Sequence, residues 1–81
     1  MINIYRRNFR ANCPNNDESI SYNLTIRTTE TIMVESICKQ IAESIKNPVY
    51  HEALADELKI KIGGDQVLTA FHHGVDVETH R

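Results

Sequence analysis

The sequence predicts an α+β fold, in which an antiparallel pair of helices covers one face of an antiparallel sheet in the order β-β-α-α-β. Apolar and polar residues alternate between positions 19 and 27, which is typical of a half-buried strand. Apolar residues then recur at helical spacing in two successive segments, 34–46 and 48–62, and alternation returns between positions 67 and 77. No linker, repeat or low-complexity tract interrupts this order, so we expect residues 1–81 to form a single domain.

The first strand is predicted over residues 2–12, where Ile4 and Phe9 stand among polar and basic residues. It ends at Cys13 and Pro14, because proline lacks the N–H group that a strand ladder requires. The Asn, Asn and Asp residues that follow favour a turn. We therefore expect Cys13 where the backbone leaves the sheet and its side chain becomes accessible, which is a suitable place for a nucleophile.

The second strand and the first helix follow this turn. The apolar side of the strand consists of Ile20, Tyr22, Leu24 and Ile26. The helix is predicted to run up to Lys46, and the hydroxyls of the threonines before it are candidate caps. Its apolar face consists of Val34, Ile37, Cys38, Ile41 and Ile45. Cys38 is therefore expected in the core.

The second helix is predicted to begin at Asn47 and Pro48, which provide a cap and a first-turn proline. It ends at Gly63 and Gly64. Its apolar stripe consists of Leu54, Ala55, Leu58 and Ile62. So short a connection between the helices predicts that they pack antiparallel on one face of the sheet.

The final segment allows two interpretations around His72, His73 and Gly74. Val67, Phe71, Val75 and Val77 share one parity with His73, so one long strand with a bulge explains the pattern as well as a tight hairpin does. We favour the long strand.

Composition argues against several classes of protein. A net charge of −2 gives no general electrostatic reason to bind nucleic acid or an anionic membrane. No apolar run approaches the roughly 18 residues of a membrane span, and the N-terminus lacks the layout of a signal peptide. The two cysteines fit no metal or redox motif. We therefore expect a soluble cytoplasmic protein. Because so short a chain buries a smaller fraction of its surface than a longer one, we also expect several copies to associate.

Candidate functional residues lie at the turn after the first strand and at the start of the second helix. A thiol reacts as its thiolate, and the acids Asp17 and Glu18 shortly after Cys13 could donate a proton to an atom that becomes negative when the sulfur adds to a carbonyl or nitrile. His51 and Glu52 at a helix entrance could contact a ligand. Both features also have plain structural interpretations, as a polar turn and as an acid that complements the helix dipole.

Metal and phosphate binding are less favoured. Of the four histidines, His72 and His73 are adjacent in a predicted strand and so point to opposite faces. No pair of histidines has the i, i+4 spacing of a helical metal site. Arg6, Arg7 and Arg10 could contact phosphates, but a solvated strand face is the simpler interpretation.

The order of several short motifs resembles the QueF-like branch of the tunnelling-fold superfamily over nearly the whole chain. These are Cys13-Pro14, the strand from Ser19 to Ile26, Val34-Glu35-Ser36, the segment 51–55 that begins with His51-Glu52, and the segment 71–78. Members of this superfamily branch act on 7-cyano-7-deazaguanine, the nitrile precursor of queuosine and archaeosine. Some reduce the nitrile with NADPH, and others, the amidinotransferases, add ammonia to give a formamidine.

The resemblance implies roles for particular residues. Cys13 corresponds to the cysteine that attacks the nitrile and forms a thioimide. Glu18, with Asp17 as its rival, corresponds to the acid that donates the proton, and His51 would assist. Glu52 and His51 correspond to the pair that holds the deazaguanine, with the carboxylate accepting hydrogen bonds from the guanine-like edge.

Two departures favour the amidinotransferases over the reductases. The reductases follow Val-Glu-Ser with a lysine-rich helix start that contacts NADPH, whereas here Lys39 alone is basic, and their Thr-Gly-Gln-Pro run after Cys-Pro is absent. The resemblance therefore implies no cofactor, ammonia or another nitrogen donor as co-substrate, no metal, and a substrate that is a free base or a residue of tRNA or DNA. It also implies a ring-shaped homo-oligomer, an oligomeric barrel with sites at subunit contacts. A non-catalytic binding or inhibitor protein with the same fold is the alternative of a different class.

Overall fold

The computed structural model describes residues 1–81, which form a four-stranded antiparallel sheet and two helices. The elements in chain order are β1 (Asn3–Asn12), β2 (Ser19–Thr28), α1 (Val34–Ser44), α2 (His51–Ile62), β3 (Asp65–His72) and β4 (Val75–His80). The strands lie in the sheet in the order β1-β2-β3-β4. The predicted α+β fold is thus confirmed, with one strand more than expected.

The additional strand corrects the prediction of one long final strand. His73 and Gly74 both have positive φ angles, 48° and 83°, as the two central residues of a type I′ turn do. This turn matches the right-handed twist of the strands on either side, so the chain reverses and β4 pairs with β3, with Val75 opposite His72. The tight hairpin was the correct interpretation.

The face of β3 that enters the core is the one whose sequence is less apolar. Gln66, Leu68 and Ala70 are buried, whereas Phe71 is 59% exposed. Gln66 can be buried because its side-chain amide donates hydrogen bonds to the carbonyl oxygens of Leu58 and Gly63 at the end of α2. The carbonyl of Gly63 lies beyond the last residue of α2 and has no partner within the helix.

The core lies between α2 and the two central strands. Its fully buried side chains are Tyr22, Leu24, Ile26, Leu54, Leu58 and Leu68. The alternation of β2 and the apolar stripe of α2 correctly identified most of them. Cys38 is an exception to the predicted core, since it is only half-buried and lines a groove between α1 and β1.

Both helices begin differently from the prediction. No side chain caps α1, because its N-cap residue is Met33, and the hydroxyl of Thr28 instead accepts a hydrogen bond from the N–H of Glu30. The helix ends at Ser44 rather than Lys46. The N-cap residue of α2 is Tyr50, so Pro48 precedes the helix and lies outside its first turn.

The segment before α2 is fixed to the end of β1. The backbone N–H of Val49 donates to the carbonyl of Asn12 over 3.1 Å. This bond brings the N-terminus of α2 next to the turn that contains Cys13. No helix of the structure is both long and apolar enough to span a bilayer.

Candidate active site

A cavity of about 250 Å³ opens where the β1–β2 turn, the start of α2 and the β3–β4 hairpin meet. The residues that line it are Cys13, Asn15, Val49, Tyr50, His51, Glu52, His72, His73 and Val77. The thiol and the His-Glu pair are far apart in the sequence, and the fold brings them together around this one space.

The β1–β2 turn holds Cys13 by its backbone. The N–H of Cys13 donates to the carbonyl of Glu18 over 2.9 Å, and the N–H of Asp17 donates to the carbonyl of Cys13 over 2.8 Å. Asp17 closes the turn with a φ angle of 56°, a conformation that Asp tolerates better than most residues. With both backbone groups bonded, Cys13 has a fixed position while its side chain is half-buried at the cavity wall.

Tyr50 joins this turn to α2 a second time. Its hydroxyl donates to the Oδ1 atom of Asn15 over 2.8 Å. Because Tyr50 directly precedes His51, the contact holds the first turn of α2 against the loop after Cys13. Tyr50 and Asn15 are positioning residues that the sequence analysis did not identify, and no local pattern marks them.

The two members of the His-Glu pair have different surroundings. His51 is 4% exposed, and its Nε2 atom lies 3.2 Å from the carbonyl oxygen of Leu68. Its Nδ1 atom lies 3.2 Å from the Nε2 atom of His72. Glu52 is exposed at the cavity and takes part in no ion pair. Its carboxylate is thus free to accept hydrogen bonds from a ligand.

The surroundings of His51 disfavour its charged form. Burial lowers the pKa of His51, and the neighbouring His72 lowers it further. The carboxylate of Glu52 and the hydrogen bond to Leu68 act in the opposite direction. Desolvation is the largest of these effects, so the neutral imidazole predominates at neutral pH.

Tyr22 forms the floor beneath the two imidazoles. Its ring is 5.5 Å from that of His51 and 5.7 Å from that of His72, measured between centroids, and it stacks on Phe9 from the other side. Burial raises the pKa of Tyr22 to about 12, and the negative charges of Cys13 and Glu52 contribute to the rise. The phenol is therefore neutral at neutral pH.

The two acids predicted to donate a proton lie outside the cavity wall. The Oδ1 atom of Asp17 accepts from the amide of Asn12 over 3.2 Å. Glu18 accepts from the amide of Asn16 over 3.3 Å, and its carboxylate lies 3.6 Å from the Nε2 atom of His73. His73 lines the cavity, so its contact with Glu18 connects that acid to the cavity. Asp17 has no such contact.

His72 and His73 enter the site because the chain reverses at Gly74. In a single long strand they would point to opposite faces of the sheet. In the hairpin, His73 occupies the turn while His72 remains on the helix-covered face, and both line the cavity. No group of three His, Cys, Asp or Glu side chains in the chain is arranged to hold a metal ion.

A second cavity, of about 240 Å³, lies between α1 and β1 and contains Cys38. Seven of its nine lining residues are hydrophobic, and none carries an imidazole or a carboxylate. Its two charged lining residues, Arg6 and Arg7, are neighbours in β1 and lie on opposite faces of the sheet, so they do not converge on a ligand as the polar groups around Cys13 do. The cavity at Cys13 is therefore the candidate active site.

The lowered pKa of His51 predicts a particular dependence of stability on pH. Below about pH 6.5 the unfolded chain takes up a proton on this imidazole that the folded chain does not, so the free energy of unfolding falls as pH decreases, by up to about 1.4 kcal/mol per pH unit. In His51→Gln the side-chain amide can still donate to the carbonyl of Leu68 but does not titrate. Urea unfolding at a fixed protein concentration gives the free energy of unfolding at several pH values below neutrality. This free energy should fall less steeply with decreasing pH in the variant than in the wild type. An equal dependence on pH in both proteins would contradict the prediction.

Comparison with known proteins adds a likeness of fold. No protein-family model matches the sequence, and no curated protein matches it significantly. The crystal structure of the archaeosine synthase QueF-Like in the apo form superposes with a TM-score of 0.78 at 18% sequence identity, covering 99% of this chain and 90% of that chain. The chain therefore has the tunnelling fold of a QueF-like archaeosine synthase.

Proposed function

We propose that the chain is an amidinotransferase that converts the nitrile of 7-cyano-7-deazaguanine, free or within tRNA or DNA, to a formamidine. One observation carries this proposal. In a chain with the fold of an archaeosine synthase, the residues that correspond by sequence to the nucleophile and to the base-binding pair, Cys13, His51 and Glu52, line a single cavity.

The proposed reaction has two steps and needs no redox change. The sulfur of Cys13 loses its proton and adds to the nitrile carbon, while the nitrile nitrogen gains a proton from an acid that the thiol proton restores, which gives a thioimide. Ammonia then adds to the same carbon, the C–S bond breaks, and the nitrogen of ammonia loses a proton as the thiol is restored. The product is the formamidine. Covalent catalysis of this kind replaces one difficult addition with two easier ones.

Glu52 is proposed to bind the base, together with His51. A deazaguanine presents adjacent N–H groups on its guanine-like edge, and an ionised carboxylate can accept from both. The exposed carboxylate of Glu52, at the cavity and free of ion pairs, suits this role. Its place in the first turn of α2 also complements the positive end of the helix dipole.

Glu18 is proposed to supply the proton for the nitrile nitrogen. The hydrogen bond between the side chains of Asp17 and Asn12 keeps that acid at the end of β1. Glu18 instead lies 3.6 Å from His73, which lines the cavity. This difference supports Glu18 over Asp17. Ammonia is favoured over NADPH because α1 carries Lys39 as its only basic residue, which is little charge for a dinucleotide phosphate.

The proposal includes head-to-tail association of several copies through the edges of the sheet. Strand β1 forms one edge and β4 the other, and each leaves backbone N–H and C=O groups unpaired. On the face away from the helices, β1 exposes Arg6 and Arg10, whereas β4 exposes Asp76 and Glu78. Pairing β1 of one copy with β4 of the next would join opposite charges, and such a heterologous contact gives a ring where the rotation between copies closes.

Mass spectrometry of the intact protein tests the covalent step. With the nitrile and no ammonia, the wild type should gain the mass of one substrate molecule, and Cys13→Ala should not. Cys38→Ala is the matched control and should form the adduct, because Cys38 lies in the other cavity. Added ammonia should release the formamidine from the wild type, and NADPH should not be oxidised. An adduct that survives Cys13→Ala would overturn the mechanism.

Glu52→Gln tests the base-binding role. The substitution replaces an acceptor oxygen with a donor that faces the N–H groups of the base, so affinity should fall by about 2–3 kcal/mol or more. Isothermal titration with the nitrile, using Cys13→Ala as the background to prevent reaction, would measure this loss. Glu43→Gln, an exposed acid on α1, should bind normally. Unchanged affinity in Glu52→Gln would leave Glu52 as a helix-end carboxylate only.

Charge reversal tests the assembly. Light scattering should show the wild type as an oligomer, and Asp76→Lys with Glu78→Lys should weaken it because like charges then face each other across the contact. Adding Arg6→Glu and Arg10→Glu in the same chain exchanges the signs of both edges and should restore association. A wild type that remains monomeric at micromolar concentration would contradict the proposal.

A further inference from the structure

The two histidines at the back of the cavity contact each other, and the proposed reaction has assigned no role to His72. The Nδ1 atom of His51 lies 3.2 Å from the Nε2 atom of His72, and the ring centroids are 5.3 Å apart in an edge-to-face arrangement. The other nitrogen of His51 faces the carbonyl oxygen of Leu68 at 3.2 Å. Both ring nitrogens of His51 therefore have partners within the protein.

These contacts determine where the protons lie. A carbonyl oxygen can only accept, so the Nε2 atom of His51 must carry a hydrogen. In the neutral imidazole that burial favours, the Nδ1 atom is then an acceptor, and the Nε2 atom of His72 must donate to it. The relay runs from His72 through His51 to the carbonyl of Leu68. The Nδ1 atom of His72 is the one ring nitrogen of the pair without a protein partner.

We propose that His72 is the catalytic imidazole that exchanges protons with the bound substrate, and that His51 is a positioning residue that holds it. His72 lines the cavity together with Cys13 and Glu52, and its ring is held in a fixed plane by the bond to His51 and the edge contact with Tyr22. This inference rests on the proposed function and changes the role that the sequence assigned to His51.

The second step of the reaction is where His72 acts. When ammonia adds to the thioimide carbon, its nitrogen becomes positively charged and must lose a proton, while the departing sulfur of Cys13 must gain one. The free Nδ1 atom of His72 accepts the proton from the nitrogen, which gives an imidazolium, and then returns it to the sulfur as the C–S bond breaks. Atoms and charges balance, and His72 ends the cycle in its starting form.

The groups around His72 are compatible with this exchange. Its ring contacts the imidazole of His51 on α2 and the phenol ring of Tyr22 on β2. Glu52 on α2, Cys13 in the β1–β2 turn and His73 in the hairpin line the same cavity. Tyr22 remains protonated, and His51 is neutral.

His72→Gln separates proton exchange from structure. The amide nitrogen of glutamine stands near the place of the histidine Nε2 atom and can donate to His51 in the same way, but the side chain cannot take up a proton. With thioimide formed first on the wild type and on the variant, decay of the adduct after addition of ammonia is followed by mass spectrometry over a range of pH. The rate, expressed per concentration of unprotonated ammonia, should fall by a factor of about 10²–10⁴ in the variant.

The pH profile provides a readout that a purely structural role would not alter. In the wild type the rate of adduct decay should increase with pH as the imidazole of His72 loses its proton. In His72→Gln this increase should be absent. His51→Asn retains an oxygen that can accept a hydrogen bond from His72, so the increase of the rate with pH should remain. The control His80→Gln, on an exposed residue at the end of β4, should behave as the wild type.

The outcomes distinguish this inference from the function on which it rests. If the wild type forms no adduct with the nitrile, the proposed function itself is overturned. If the adduct forms and decays in His72→Gln with the rate and pH profile of the wild type, only the role of His72 is overturned. Nitrogen NMR of the imidazoles in the protein without substrate is a separate check, since His51 should be the Nε2–H tautomer, and the opposite tautomer would refute the relay.

Discussion

The candidate site depends on the connection between α1 and α2 being fixed to the end of β1. The N–H of Val49 donates to the carbonyl of Asn12, and the hydroxyl of Tyr50 donates to Asn15 directly afterwards. These two bonds join a turn that belongs to the sheet to a helix that belongs to the layer above it. Together with the buried side chains of α2, they hold Cys13 and the His-Glu pair at the wall of one cavity.

Much of the fold could be predicted because its elements have local signals. The alternation in β2 and the apolar stripe of α2 identify the two surfaces that form the core, and both are confirmed by buried side chains. The prediction was wrong at His73 and Gly74, because the reversal of the chain there depends on two positive φ angles and not on a pattern of apolar residues. It was also incomplete for β3, where the helix end satisfies the amide of Gln66 and allows a polar residue on the buried face.

The site was less accessible to sequence reasoning for a physical reason. Cys13 and Glu52 are noticeable because a turn and a helix start expose side chains, and the resemblance to QueF-like proteins gave them roles. His72 carried no such mark, since its place beside His51 follows from the pairing of β3 with β4 and from the packing of α2 on the sheet. A histidine pair formed between α2 and β3 cannot be identified from residue spacing within either element.

The order of strands in the sheet has a consequence for how the chain folds. Strands β1 and β2 form one local hairpin and β3 and β4 form another, so only the pairing of β2 with β3 joins distant parts of the chain. The first hairpin contributes the thiol, the second contributes His72 and His73, and the helices lie between them in the sequence. The cavity therefore requires the pairing of β2 with β3, and a chain in which this pairing has not formed carries Cys13 apart from the histidines that lie beside it in the folded protein.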